Sequence, residues 1–183
     1  NRVVSNELYD CTDSVQLVIA PPQTGSSYPG TIIANNDMYA SPAYHRGSYS
    51  CGENALDVKE AAGTPSEDPV QVVGNRIWGW SPSDTSCGSS GSQGASIVIH
   101  DGADGRTTRN IELRNNVIFN GIRGITVQAT HVTMENNLWY NVGTYGSLSD
   151  RGLIFTQLSD STISGNTLVN APSWGVFNNG ISG

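Results

Sequence analysis

The sequence predicts an all-β fold, a right-handed single-stranded parallel β-helix, and three observations support this prediction. No apolar i, i+3, i+4, i+7 pattern is sustained over three helical turns. The apolar residues alternate instead in short runs rich in Val and Ile, which is typical of half-buried strands separated by turns. Two neighbouring segments, which begin IELRNNVIFN and VTMENNLWYN, repeat one pattern, and their leading asparagines are 21 residues apart. A period of that length is typical of solenoids.

The repeat extends over the whole chain once loop insertions at 21–30, 40–53 and 81–95 are allowed. The first coil reads VVSNELY and SVQLVIA, the second TIIANNDMY and ENALDVKE, and the third PVQVVGNRIWGW and ASIVIHD. The fourth and fifth coils are the compact ones, and the sixth reads STISGNTLVN and SWGVFNN. About six coils are therefore predicted. Their leading asparagines are Asn6, Asn36, Asn75, Asn116, Asn137 and Asn166.

These asparagines are expected to be structural. Apolar residues that point inward stack on their equivalents, while an asparagine at a tight bend can adopt the left-handed conformation and hydrogen-bond along a ladder. Long loops of a solenoid tend to emerge on its binding face. Because the long insertions belong to the first three coils, we expect the functional face near residues 40–105.

The length predicts a single domain over residues 1–183. The chain opens directly on a strand-like run and stops at FNNGISG, where a further coil would be expected. Since solenoids need caps to protect their open ends, we expect a piece of a longer β-helix, with ends suited to end-to-end self-association.

The formal net charge is −7, and the basic residues do not cluster. Affinity for a nucleic-acid backbone needs a Lys/Arg patch, so nucleic acid is not expected as a partner. No stretch approaches the roughly 18 apolar residues of a membrane helix, so no membrane span is expected.

Three cysteines are present, and no CxxC or Cys/His pattern suggests a zinc site. Cys51 and Cys87 lie in Gly/Ser-rich insertions of neighbouring coils. A disulfide between them would join two long loops. Cys11 is expected to be a buried thiol or to pair with a segment outside this sequence.

The candidate site follows from aligning the last strand of each coil. Side chains alternate along a strand, so the residue after each inward pair points outward. Lys59 and His100 are then stacked neighbours about 4.8 Å apart, and Asp57 lies beside Lys59 on the same face. The aligned inward pairs are Leu56/Val58, Ile97/Ile99, Ile125/Val127 and Leu153/Phe155, and the outward residues that follow them are Lys59, His100, Gln128 and Thr156.

A lysine, a histidine and several carboxylates on one face suit β-elimination on a uronic-acid polysaccharide. That reaction needs a cation to neutralise the carboxylate, a base for the C5 proton and an acid for the leaving oxygen. Lys59 is the candidate base, and His100 is the acid or a substrate-binding donor. Glu53, Asp57 and Asp101 offer hard oxygen ligands for Ca²⁺.

Three further residues are candidates for substrate binding. Trp80 and Tyr44 are aromatic residues at the loops and could stack on sugar rings, and Arg106 lies near the charged cluster in sequence. The alternative interpretation of the cluster is an exposed Lys59–Asp57 ion pair beside a histidine with no role, since exposed pairs are common and contribute little.

The asparagine-ladder coils, and ENALDVKE followed one coil later by SIVIHDG, resemble the pectin-lyase-like superfamily of right-handed parallel β-helices. Within it they are most similar to polysaccharide lyases of the chondroitinase B and alginate lyase type. The resemblance implies a catalytic lysine at Lys59 and calcium-binding carboxylates at Glu53 and Asp57. The position of the family's arginine is occupied by His100.

The sequence therefore favours a secreted or cell-surface β-helix that acts on an acidic polysaccharide as a lyase. The alternative is a non-catalytic β-helix that binds carbohydrate or forms filaments at a surface.

Overall fold

The computed structural model describes residues 1–11, 13–18, 28–41, 54–59, 66–80, 95–100, 108–121, 123–142, 151–171 and 174–178, with backbone only for 123, 151–157 and 174–178. These residues form strands, and no helix occurs among them. The strands are β1 (Arg2–Val4), β2 (Glu7–Tyr9), β3 (Asp13–Leu17), β4 (Ile32–Ala34), β5 (Asp37–Tyr39), β6 (Asn54–Lys59), β7 (Val70–Val73), β8 (Arg76–Trp78), β9 (Ala95–His100), β10 (Arg109–Arg114), β11 (Val117–Gly121), β12 (Arg123–Glu135), β13 (Leu138–Val142), β14 (Arg151–Ser159), β15 (Thr162–Ser164), β16 (Thr167–Val169) and β17 (Trp174–Asn178).

The strands pair only in parallel within the described residues, and they form three stacks. The first contains β1, β4, β7, β10, the end of β12 and β15. The second contains β2, β5, β8, β11, β13 and β16. The third contains β3, β6, β9, the start of β12, β14 and β17. This arrangement confirms an all-β, parallel, solenoid-like fold.

The predicted inward rows of the third stack are confirmed for the strands whose side chains the structure describes. Leu56 pairs with Ile97, and Ile97 with Ile125; none of the three is exposed. The row of Val58, Ile99 and Val127 behaves in the same way. Like residues of successive coils thus pack on one another in a continuous apolar core, which also includes Met38, Ile77, Ile118 and Trp139.

The six leading asparagines form a hydrogen-bonded ladder. In each pair of neighbours, the backbone N–H and the side-chain amide of one asparagine both donate to Oδ1 of the next, at 2.9–3.0 Å. The amide also donates to a carbonyl of the preceding coil, as from Asn116 to Val72 at 2.8 Å. The ladder therefore satisfies polar groups inside the core.

The expected conformation of the ladder asparagines was wrong. Positive φ values occur at the residue before each of them, and not at the ladder residue itself. The preceding residue makes the bend, so the ladder asparagine can direct its side chain inward to the next coil. The residues with positive φ are Ser5, Asn35, Gly74, Asn115, Asn136 and Gly165.

Gly79 provides a test of the close contact between coils. Its φ is +85°, and a Cβ at this position would collide with the backbone carbonyl oxygen of Ala40. Gly30 also has positive φ, at +66°, but the nearest atom to its Cβ would be 3.5 Å away. We expect Gly79→Ala to reduce the free energy of unfolding by about 2 kcal/mol more than Gly30→Ala, because only the former adds a clash to the backbone strain. Equal losses in denaturant unfolding would show that the coils can separate at this bend.

Candidate active site

Lys59 and His100 end two neighbouring strands of the third stack and are direct partners across them, as predicted. Asp57 pairs with Val98 one step earlier on the same outward face. The alternation along β6 and β9 therefore places the three polar side chains on one outward face. Asp57 comes before Lys59 along β6, and His100 is the partner of Lys59 on β9.

The Asp57 carboxylate lies between the other two groups. Its Oδ2 is 2.6 Å from Nζ of Lys59, and its Oδ1 is 3.5 Å from Nε2 of His100. The side chain of Asp57 is 2% exposed, whereas those of Lys59 and His100 are 27% and 34% exposed. A ligand outside the solenoid would thus meet the lysine and the histidine, and the carboxylate would act from beneath them.

The alternative interpretation assumed an exposed Lys59–Asp57 ion pair. The carboxylate of Asp57 is buried, so the pair is not fully exposed. Burial acts to raise the pKa of the Asp57 carboxyl, whereas the polar contacts and charges of His100 and Lys59 act to lower it, and the net pKa lies below its usual value. We attribute the lowering chiefly to Lys59, because 3.5 Å is a long contact and Oδ1 of Asp57 has no hydrogen-bond partner among the described residues. The Asp57 carboxylate is therefore ionised at neutral pH.

Gln16 is a member of the site that sequence reasoning missed. It pairs with Asp57 from β3, and its amide donates to Oδ2 of Asp57 at 3.4 Å. The signal was present, because Gln16 in SVQLVIA aligns with Asp57 in ENALDVKE.

The predicted alignment of β12 with β14 was wrong beyond Val127. Thr156 was expected to stack on Gln128, but the register shifts after Val127, and Gln128 pairs with Gln157. A β-bulge inserts a residue without altering the apolar pattern strongly enough to be seen in the sequence.

The structure describes only Asp57 of the three predicted calcium ligands, so the calcium site stays a prediction. Ca²⁺ takes six to eight oxygen ligands. The groups that face Asp57 from Lys59, His100 and Gln16 are nitrogens. Within the described ranges, no three His, Cys, Asp or Glu side chains are grouped to hold a metal ion. Glu53 and Asp101 lie outside those ranges.

The expectation that Trp80 offers a sugar-stacking surface was wrong. Its side chain is completely buried and belongs to the apolar core. An aromatic residue after a strand can turn into the core as readily as toward solvent, and the sequence does not distinguish the two. Tyr44 and Arg106 lie outside the described residues, so their binding roles stay predictions.

A row of aromatic rings lies on the outward face of the second stack. Tyr9, Tyr39, Trp78 and Phe119 stack with centroids 4.6–5.3 Å apart and planes within 11° of parallel. Each inner ring covers the face of its neighbour, and sugar stacking needs an exposed ring face. The Tyr39 hydroxyl donates to Glu7 at 2.8 Å. This bond, with some burial and nearby negative charge, raises the pKa of Tyr39 to about 12. The row therefore fits a structural role better than a sugar-binding one.

The predicted disulfide partners, Cys51 and Cys87, lie outside the described residues. Cys11 is a free thiol in the described part of the chain, and it is partly exposed and not buried as expected. Its Sγ lies 3.3 Å from the carbonyl oxygen of Tyr9.

Among the residues that the structure describes, no helix is long and apolar enough to span a membrane. Comparison of the chain with protein families, curated proteins and solved structures found no match.

Proposed function

We propose that the chain is a right-handed parallel β-helix of about six coils, similar to the pectin-lyase-like superfamily, that cleaves an acidic polysaccharide outside the cell. The reaction is β-elimination at a uronic acid. The three strand stacks and the asparagine ladder support the helical part of this proposal. The chain carries a net charge of −7, so an anionic substrate needs a locally basic group, and Lys59 is such a group.

One observation carries the enzymatic part. An amine, an imidazole and a buried carboxylate converge on one outward face, with Lys59 and His100 partly exposed above Asp57. A surface ion pair does not need a buried carboxylate or a second group capable of carrying positive charge. Such clusters are typical of functional sites. Lyases of this type need groups that neutralise a carboxylate and move protons.

The test is digestion of alginate, chondroitin and pectate, followed by ultraviolet absorbance of the unsaturated uronate product. We expect one of these substrates to be cleaved by the wild-type chain and Lys59→Ala to lower the rate by about 10²-fold or more. Arg114→Ala is the control, because Arg114 is also a cation paired with a carboxylate, that of Glu135 at 2.5 Å, but lies on the first stack.

Cleavage by Arg114→Ala at the wild-type rate would locate the activity on the third stack. Equal loss in both variants would point to a general effect of charge and would contradict the proposed site. Failure of a folded wild-type chain to cleave any uronate polymer would reject the lyase proposal.

The second candidate is a non-catalytic β-helix that binds carbohydrate or self-associates. Exposed apolar side chains favour association: Tyr9 and Val18 belong to the first coil, Tyr140 to the fifth, and Ile163 and Val169 lie beyond the compact coils. Binding of a polysaccharide without cleavage, or association that depends on chain concentration, would favour this candidate.

A further inference from the structure

The first coil (β1, β2 and β3) and the sixth coil (β15, β16 and β17) have strands of equal lengths. The strands contain three, three and five residues in each coil, in the same order. Among the described strands, each of these six pairs along one edge only. An unpaired strand edge presents backbone N–H and C=O groups with which another chain can pair. The two coils therefore offer matching edges at opposite ends of the three stacks.

The asparagine ladder is polar along the stack. Of two successive asparagines, the earlier donates from its backbone N–H and its side-chain amide, and the later accepts at Oδ1, as between Asn137 and Asn166. Within the described residues, Oδ1 of Asn6 accepts no hydrogen bond, and the backbone N–H of Asn166 donates none. The ladder thus presents an acceptor at Asn6 and a donor at Asn166.

Exposed apolar side chains concentrate in the same two coils. Four of the five large apolar side chains that are exposed in the described part of the chain lie in the first or the sixth coil. Ile163 is 44% exposed although it pairs with Met134, an inward residue that is 1% exposed. A coil stacked on β15 would cover Ile163, as β15 covers Met134. The four residues are Tyr9 and Val18 in the first coil and Ile163 and Val169 in the sixth.

We propose that the first coil of a second copy of this chain stacks on the sixth coil, so that the copies join head to tail. β1, β2 and β3 of the added copy then pair in parallel with β15, β16 and β17. This inference rests on the second candidate function, self-association, and assigns its orientation and its contact surfaces. Because the two surfaces differ, each added copy leaves one of them free, and the assembly is an open filament and not a closed dimer.

The repeat specifies hydrogen bonds at the junction. Between the fifth and sixth coils, the Thr167 N–H donates to the Asn137 carbonyl at 2.8 Å, and Asn137 donates twice to Oδ1 of Asn166. By the same pattern, the N–H of Glu7 in the added copy donates to the Asn166 carbonyl. Asn166 then donates twice to Oδ1 of Asn6 in the added copy. Donors and acceptors are complementary in this orientation.

The apolar side chains are complementary as well. Ile163 continues an inward row of the first stack, to which Val3 also belongs, and Val169 continues the outward row of Tyr9. Continuing the register places Val3 of the added copy beside Ile163 and Tyr9 of the added copy beside Val169. The junction therefore removes exposed apolar surface from water, which favours association.

The opposite orientations lack this match. If the first coils of two copies met, two Asn6 acceptors would face each other, and if the sixth coils met, two Asn166 donors would do so. A polar group that is enclosed without a partner costs free energy. The strands at such a junction would also run antiparallel, whereas every described pair is parallel. Head-to-tail stacking is the arrangement that continues the fold.

The experiment mixes two variants that each block one surface. Ile163→Lys places a charge on the sixth coil, and Asn6→Lys replaces the exposed ladder acceptor of the first coil by a donor. Sedimentation velocity between about 1 μM and about 1 mM chain measures assembly. We expect wild type to form species that grow beyond a dimer, and each variant alone to stay monomeric about 10-fold above the onset of wild-type assembly. An equimolar mixture should give a dimer and nothing larger, because only one unblocked junction can form.

Tyr140→Lys is the matched control, because Tyr140 is an exposed apolar side chain of the fifth coil. It should assemble like wild type, and loss of assembly in this variant would place the contact on the side of the stack and overturn the inference. Dimers of either blocked variant alone would also overturn it, since they require like surfaces to meet. Thr167→Lys, at an exposed position of the sixth coil, replaces Ile163→Lys if that chain does not fold.

A wild-type chain that stays monomeric at about 1 mM would reject self-association itself, and the inference with it. Wild-type association that stops at a dimer would reject the head-to-tail orientation and leave self-association standing. Because no polysaccharide is present in the measurement, neither result depends on whether the chain is a lyase.

Discussion

Asn116→Ala is expected to lower the free energy of unfolding by about 3–5 kcal/mol, because each buried polar group left without a partner costs about 1–3 kcal/mol. Asn116 is 1% exposed and lies in the middle of the ladder. Its Oδ1 accepts two hydrogen bonds from Asn75, and its amide donates to Asn137 and Val72. The substitution removes all four bonds, which corresponds to a melting temperature roughly 10 °C lower.

Asn6→Ala is the matched control. Asn6 is the same residue type in the same ladder, but it is exposed and its side chain donates only to Asn36 among the described residues. We expect its replacement to cost less than about 1 kcal/mol. Denaturant unfolding of the two variants compares them directly. An Asn116→Ala variant as stable as Asn6→Ala would mean that the ladder does not stabilise the stacked coils.

Asp57→Asn is expected to lower the rate of polysaccharide cleavage by about 10²- to 10³-fold, the range that proton-transfer groups contribute. The substitution keeps the shape of the side chain and removes the charge that holds Lys59 and faces His100. Asp37→Asn is the control, because Asp37 is also ion-paired, with Arg76, but lies on the second stack. Equal activity of the two variants would exclude Asp57 from the site.

Asp57 should also affect stability in acid. Because the folded-state pKa of Asp57 lies below its unfolded value, the ionised carboxylate stabilises the fold above about pH 4. This contribution is lost as the pH falls through the folded-state pKa. We therefore expect the stability difference between wild type and Asp57→Asn to narrow in acid, as measured by thermal unfolding at several pH values. A difference that does not change with pH would mean that the charge of Asp57 has no stabilising contact.

The strand register of the site could be predicted from the sequence because it depends on two short-range rules. The alternation of side chains fixes which residues point inward, and the repeated apolar pairs fix which residues are opposite one another. These rules correctly placed Lys59 beside His100 and Leu56 beside Ile97. The repeated pattern also identified the ladder asparagines, because the insertions lie between its repeats.

The burial of outward side chains could not be predicted in the same way. Side-chain alternation predicts that Asp57 points away from the apolar core, but it does not predict whether other groups cover the side chain, which is only 2% exposed. Trp80 follows a strand whose alternation has ended, so nothing in the pattern assigns its direction. The bend residue before each ladder asparagine was missed because Ser, Asn and Gly all take positive φ there.

The most direct test of the active site is a crystal structure of the catalytically impaired Asp57→Asn or His100→Ala chain with an acidic oligosaccharide from the cleaved polymer. We expect a uronate carboxylate within hydrogen-bond distance of Nζ of Lys59, on the outward face of β6 and β9. An oligosaccharide bound along the aromatic row of Tyr9, Tyr39 and Trp78, and making no contact with Lys59, would contradict this location of the active site.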